Sequence, residues 1–148
     1  MSDRTYWREH EGGCLCGGVR YRVTGSLRPV VMCHCTQCRR MTGHVVAATA
    51  ARRTDFHFLK DDGLRWYQSS AEARRGFCGR CGSTLFWDGV GRGHISIAAG
   101  TLDDTRSLKI AHHIFVANKG DYYSIDDSAS QSMDGHFAVP IPTDSSPA

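Results

Sequence analysis

Seven cysteines are gathered into three short stretches, Cys14-Leu15-Cys16, Cys33-His34-Cys35-Thr36-Gln37-Cys38 and Cys78-Gly79-Arg80-Cys81-Gly82, and occur nowhere else. Thiolates one or two residues apart can converge on a single soft cation, so the chain reads first as a zinc protein. Two of the stretches carry a pair each, and two pairs complete a tetrahedral site. The third carries three cysteines and leaves a fourth position open, which is how a metal that does chemistry differs from one that only holds a fold.

Other uses of cysteine fit less well. An odd total strands one thiol in any disulfide scheme, and residues 1–10 contain no apolar signal-peptide core. Iron–sulfur proteins also space cysteines closely, but their motifs run four together or in two defined groups, so zinc is the better match. At 148 residues the chain fits one domain with a core of its own. No stretch approaches the roughly 20 apolar residues of a membrane span. The expectation is a soluble cytoplasmic protein that meets no membrane. Its net charge of +3 is modest, and Arg39-Arg40, Arg52-Arg53 and Arg74-Arg75 lie far apart among acids, so each reads as solvated surface and nucleic acid is not an expected partner. Oligomeric state is left open.

Short strands dominate the pattern. Residues 19–23, 56–59, 64–67, 84–87, 94–98 and 110–116 are β-branched or aromatic runs, several alternating with polar residues. Asp61-Asp62-Gly63 sits between two runs as a hairpin turn would, and the Gly-rich residues 88–93 separate two more. Helix is scarce: residues 36–41 suit one short turn capped by Thr36, and residues 101–108 suit another. The fold class is therefore mainly β, built of small antiparallel sheets with little helix. From residue 126 the chain turns rich in Ser, Asp and Pro, which predicts an irregular or disordered tail over 126–148, with Phe137, Val139 and Ile141 alternating so that part of it can lie along the body.

Glycines flank both cysteine pairs: Gly17 and Gly18 after Cys16, Gly79 and Gly82 around Cys81. Such turns bring both sulfurs to one side and aim backbone amides at them, which points to a closed four-thiolate structural zinc. The trio Cys33, Cys35 and Cys38 has no fourth cysteine. A histidine can close it, and His44, six residues past Cys38, is the more serious candidate; His34 lies between two ligands, where an extended segment turns its side chain the opposite way. If the position is open, three thiolates leave zinc with a net charge near −1, which suits an incoming sulfur better than activation of water. The domain then takes a substrate thiol.

The motifs Gly13-Cys14-Leu15-Cys16-Gly17, Cys33-His34-Cys35-Thr36-Gln37-Cys38-Arg39-Arg40 with Gly43, and Phe77-Cys78-Gly79-Arg80-Cys81-Gly82-Ser83-Thr84-Leu85 resemble the glutathione-dependent formaldehyde-activating family, shared with centromere protein V. Asp121-Tyr122-Tyr123-Ser124-Ile125-Asp126 is similar to that family's acidic-aromatic segment. The resemblance implies a β-tent over residues 12–125, after an N-terminal extension of residues 1–11, organised around a structural zinc on Cys14, Cys16, Cys78 and Cys81. It implies a second, catalytic zinc on Cys33, Cys35 and Cys38, and a carbon–sulfur lyase that interconverts a thiol such as glutathione and a small aldehyde such as formaldehyde with their adduct. His34 and His44 are the leading candidates for the proton step, with His112 and His113 behind them, and Arg39 and Arg40 are candidates for holding a substrate carboxylate. Short loops leave little room for a tripeptide, so a smaller thiol is a second substrate class. A non-catalytic zinc scaffold that binds a protein partner is the rival function.

Overall fold

The computed structural model describes residues 9–143. Eleven strands and one short helix make up its regular structure, besides three-residue 3-10 turns. Strands β1 (Glu9–Gly13), β2 (Arg20–Thr24) and β5 (Phe56–Lys60) form a three-stranded antiparallel sheet in the order β1-β2-β5. The second sheet has eight strands: β3 (Val30–Cys33), β4 (Val46–Arg52), β6 (Leu64–Gln68), β7 (Ala73–Cys78), β8 (Thr84–Gly89), β9 (His94–Ala98), β10 (Ile110–Ile114) and β11 (Ser130–Gln131). Its order is β11-β10-β3-β4-β9-β8-β7-β6. Pairing is antiparallel except where β10 runs parallel to both β3 and β11. No helix among the described residues is long and apolar enough to cross a membrane.

Alternation explains β2. Tyr21 and Val23 are fully buried, while Arg20 and Arg22 lie on the other face, where Arg22 meets its cross-strand neighbour Glu11 at 2.8 Å and Arg20 meets Asp103 at 2.6 Å. Tyr21 joins the two sheets. Its ring stacks on Phe56 of β5 and meets the edge of Phe86 of β8, both at 5.5 Å, and its hydroxyl reaches Thr101 Oγ1 at 2.8 Å. Leu85, Ile95, Ile97 and Ala51 complete the core from the larger sheet, and Cys14 and Cys78 belong to the same buried cluster.

Strand β4 departs from what its residues suggest. Its sequence is alanine-rich and gives no β signal, yet it is central, between β3 and β9, with Thr49, Ala50 and Ala51 all at 0% exposure. Adjacent buried residues face opposite sides of a strand, so both faces are covered and small side chains fit where propensity alone argues against a strand.

Several expectations change. Asp61-Asp62-Gly63 is a turn, with Leu64 N–H donating to the Asp61 carbonyl, but it is not a hairpin: β5 pairs with β2 and β6 with β7, so the turn carries the chain from one sheet to the other. Residues 101–108 form no helix beyond the 3-10 turn Ala99–Thr101, and the Asp104 carboxylate takes the Arg106 N–H in a local turn that competes with helix. The β10 run stops at Ile114 because Phe115 adopts φ 55°, the left-handed region. Helix α1 (Thr36–Thr42) forms as expected, although its cap is Cys35 rather than Thr36.

The extension expected over residues 1–11 lies outside the described residues as far as residue 8, and Glu9 to Glu11 belong to β1. Of the tail, 144–148 lies outside the described residues; between 126 and 143 the only strand is β11, and Phe137, Val139 and Ile141 are half-buried between exposed neighbours.

Candidate metal centres

The cysteines meet in two groups. Cys14, Cys16, Cys78 and Cys81 have their sulfurs within 4.8 Å of one another, and so do Cys33, Cys35 and Cys38; either group could hold a metal ion. In the first, Cys14 and Cys16 follow β1, and Cys78 and Cys81 span the turn after β7. Cys16 Sγ lies 3.7 Å from both Cys14 Sγ and Cys78 Sγ. Zinc–thiolate bonds of about 2.3 Å in a tetrahedron require sulfurs about 3.8 Å apart, so the group fits that ion.

Each sulfur in this group has its own hydrogen-bond partner. Val19 N–H donates to Cys14, Gly18 N–H to Cys16 and Arg80 N–H to Cys78, at 3.2–3.4 Å, while the Ser83 hydroxyl is 3.1 Å from Cys81 and pulls that thiol down to about 5. Gly17 and Gly82, at φ 83° and 80°, close the two turns by donating to the Cys14 and Cys78 carbonyls. The Asp61–Gly63 turn covers the group: a Cβ on Gly63 would come within 3.1 Å of Cys78 Sγ and of the Gly18 carbonyl.

The second group is built around α1. Cys33 ends β3, Cys35 precedes α1 and takes the Cys38 N–H on its sulfur at 3.2 Å, and Cys38 is buried within the helix. Hydrogen bonding with Cys33 and Cys38 holds the Cys35 thiol low, while Cys35 and Cys38 push Cys33 up, the pattern of a crowded thiol set that a cation would relieve. No histidine among the described residues joins this group.

His34 points away from the sulfurs, as an extended Cys-His-Cys requires. It is 2% exposed, with Nδ1 at 2.5 Å from the Tyr123 hydroxyl and Nε2 at 2.8 Å from His113 Nδ1. His113 Nε2 in turn lies 3.0 Å from both carboxylate oxygens of Asp127. Both His34 nitrogens are thus engaged. Burial, and next His113, lowers His34 to about 4. His44 sits elsewhere, its Nδ1 at 2.7 Å from the Tyr122 hydroxyl and its ring 4.7 Å from that of Tyr123. His112, on the opposite face of β10 from His113, has both nitrogens on the Ser130 and Ser132 hydroxyls.

The sequence named His113 as one candidate among four but gave no role to Tyr122, Tyr123 or Asp127. The only signal for Tyr122 and Tyr123 was the acidic-aromatic run from Asp121 to Asp126, and Asp127, just past it, had none. Lys119 holds that run in place, donating to the Gly120 and Tyr123 carbonyls with its ammonium 4.5 Å from the Tyr123 ring. Burial, and then Tyr122, raises the Tyr123 hydroxyl above the usual phenol range; Arg39 and Cys33 lie close enough to act on it in opposite senses. Arg39 and Arg40 occupy the last turn of α1, half-buried and exposed, and neither is paired with an acid among the described residues.

Arg75 was read as surface. It is 7% exposed and turned into α1, donating through Nε and Nη2 to Gln37 Oε1 at 3.1 and 2.8 Å and through Nη1 and Nη2 to Cys38 Sγ at 3.6 and 3.5 Å.

Three comparisons relate the chain to known proteins. The sequence model of a family described as glutathione-dependent formaldehyde-activating enzyme matches residues 9–118. An uncharacterized lyase of Schizosaccharomyces pombe is 29% identical over 79 residues, 53% of this chain and 57% of its own length. The chain thus spans little more than half of that relative. A Halomonas elongata protein carrying the same family's name is 28% identical over 143 residues, covering 86% of each chain. A crystal structure of a Rhodobacter sphaeroides protein superposes with a TM-score of 0.55 at 25% identity, over 66% of this chain and 91% of that one.

Proposed function

Because this chain belongs to the glutathione-dependent formaldehyde-activating family, we propose that it is a zinc-dependent carbon–sulfur lyase that interconverts a thiol and a small aldehyde with their hydroxymethyl-type adduct. Glutathione and formaldehyde are the pair its relatives' names suggest. The observation that carries the reading is a three-sulfur group with no histidine in it, beside a continuous hydrogen-bonded line from Tyr123 to Asp127.

Cys14, Cys16, Cys78 and Cys81 would hold a structural zinc, and Cys33, Cys35 and Cys38 a catalytic one. When bound at the three-cysteine centre, zinc supplies a soft Lewis acid that favours a substrate thiol in its thiolate form. The remaining chemistry is proton movement, and the side chains have a defined polarity for it. An ionised Asp127 accepts from His113 Nε2–H, which leaves His113 Nδ1 to accept from His34 Nε2–H, which leaves His34 Nδ1 to accept from the Tyr123 hydroxyl.

As the substrate thiol gives up its proton to the Tyr123 oxygen, the Tyr123 proton moves to His34 Nδ1, the His34 Nε2 proton moves to His113 Nδ1, and Asp127 stabilises the resulting imidazolium. The substrate sulfur forms its bond to the aldehyde carbon while the C=O π pair moves to oxygen. The same line then runs backward, and Tyr123 protonates that oxygen. The sum is thiol plus aldehyde to hydroxymethyl thioether, with nothing left over. His34 is a conduit in this scheme rather than a group that touches substrate. His44 borders the site through Tyr122 and Tyr123, and Arg39 and Arg40 would bind the carboxylates of a glutathione-like thiol.

The deciding experiment is carbon-13 exchange NMR between formaldehyde and its glutathione adduct, because the uncatalysed exchange supplies the baseline. Acceleration by the zinc-loaded protein, lost in Cys35→Ser, supports the assignment. A folded, zinc-loaded protein that accelerates exchange with neither glutathione nor 2-mercaptoethanol would leave the non-catalytic scaffold in its place.

A further inference from the structure

The adjacent residues Arg74 and Arg75 lie on opposite faces of β7 and meet different partners. Arg74 is half-exposed, its guanidinium 3.8 Å from the Trp66 ring centroid and its Nε 2.8 Å from Asp88. Arg75 is buried and meets no carboxylate among the described residues. A buried cation favours a counter-charge, and among the described residues the group it meets that can carry negative charge, as a metal-bound thiolate would, is the Cys38 sulfur. The fork is fixed from behind as well: the Gln37 amide donates to the Ser69 carbonyl at 3.1 Å, so its oxygen must face Arg75.

The four-cysteine group lacks this feature. Its sulfurs are met by backbone N–H groups and a serine hydroxyl, and the Arg80 side chain beside it is exposed and paired with Asp62 at 2.8 Å. One centre is furnished with neutral donors and the other with a buried cation. A divalent ion among three thiolates carries one net negative charge, which repels an incoming thiolate; a guanidinium against the third sulfur cancels it.

We propose that Arg75 is a positioning residue of the three-cysteine centre, holding Cys38 through its fork and offsetting the charge there so that a thiolate is accepted as the fourth ligand. This rests on the thiol-handling function given above. Strand β7 also ends in Cys78, so the closed group anchors the strand that aims Arg75 at the open one.

The test uses the full chain loaded with cobalt(II), the contribution of the three-cysteine centre being the difference from Cys35→Ser protein. In Arg75→Met the sulfur loses two donors, so its sulfur-to-cobalt charge-transfer band moves to longer wavelength. Affinity for 2-mercaptoethanol, which has no carboxylate for Arg39 or Arg40, falls at least tenfold, and Arg75→Lys recovers part of both effects. If Arg75→Met does not fold, Gln37→Leu gives a smaller shift in the same direction. A merely structural Arg75 would change the melting temperature and leave the band and the thiol affinity where they were, which overturns the proposal. A wild-type centre whose spectrum ignores thiol overturns the thiol-handling function instead, while the band still reports whether Arg75 acts on Cys38.

Discussion

His34 Nε2 and His113 Nδ1 meet at 2.8 Å although 79 positions separate them in the chain. The parallel pairing of β3 with β10, which sets Met32 opposite His113 and Cys33 opposite Ile114, brings the two rings together beside the sulfurs. The hydrogen-bonded line from Tyr123 to Asp127 depends on that register.

In the proposed relay Tyr123 is the end that would meet substrate, so removing its hydroxyl should be costly. Tyr123→Phe keeps the ring against His34 but has no proton to pass, so the exchange rate should fall roughly 10²-fold, the lower range for positioned proton transfer. Asp127→Asn should also slow exchange, because His113 loses the carboxylate that sets its tautomer. Carbon-13 exchange rates, with circular dichroism as a check on folding, measure both.

The two cysteine groups should respond differently to substitution. Cys78→Ser removes a fully buried thiol that also belongs to the core, and if the proposed zinc is lost with it, folding free energy on the order of 10 kcal/mol should go too, leaving little cooperative unfolding. Cys35→Ser should stay folded and bind one metal fewer per chain. Metal stoichiometry and thermal melts of the two variants separate these outcomes, and an equally unfolded Cys35→Ser would make the three-cysteine centre structural.

At the joint between the sheets, Tyr21→Phe keeps the ring contacts and loses the hydrogen bond to Thr101, whose hydroxyl still donates to the Ala98 carbonyl at 2.7 Å. The expected loss is about 1 kcal/mol. Leu85→Ala, at a fully buried site in the same core, should cost about 2–5 kcal/mol. Urea unfolding of zinc-loaded protein gives both values.

Acid should expose the role of Asp88. Burial alone would raise its carboxyl, but the Arg53 and Arg74 guanidiniums outweigh that and hold it below the usual carboxylate range. A folded value below the unfolded one, about 3.9, means that stability from this group is present above about pH 4 and lost as pH falls through the lowered folded value. The stability difference between wild type and Asp88→Asn should therefore be constant from pH 7 to about 5 and shrink below about 4. A difference that grows toward acid contradicts the assignment.

Local chemistry in the sequence determined which cysteines could serve a metal and much of the strand content. Cysteine spacing and flanking glycines are short-range constraints, so the three cysteine clusters were legible, as was the outward turn of His34 between two cysteines, whereas the pairing of Cys14 and Cys16 with Cys78 and Cys81 came from the family resemblance. β-Branched and aromatic runs, several of them alternating with polar residues, marked β2, β5, β6, β8, β9 and β10 for the same reason. Alanine-rich β4 was silent, because its small side chains are selected by neighbours on both faces and not by any preference of their own. The line of Tyr123, His34, His113 and Asp127, and the turn of Arg75 onto Cys38, were decided by tertiary structure alone. Each joins residues on separate elements through strand order and register, and those depend on long-range packing that no window of sequence contains.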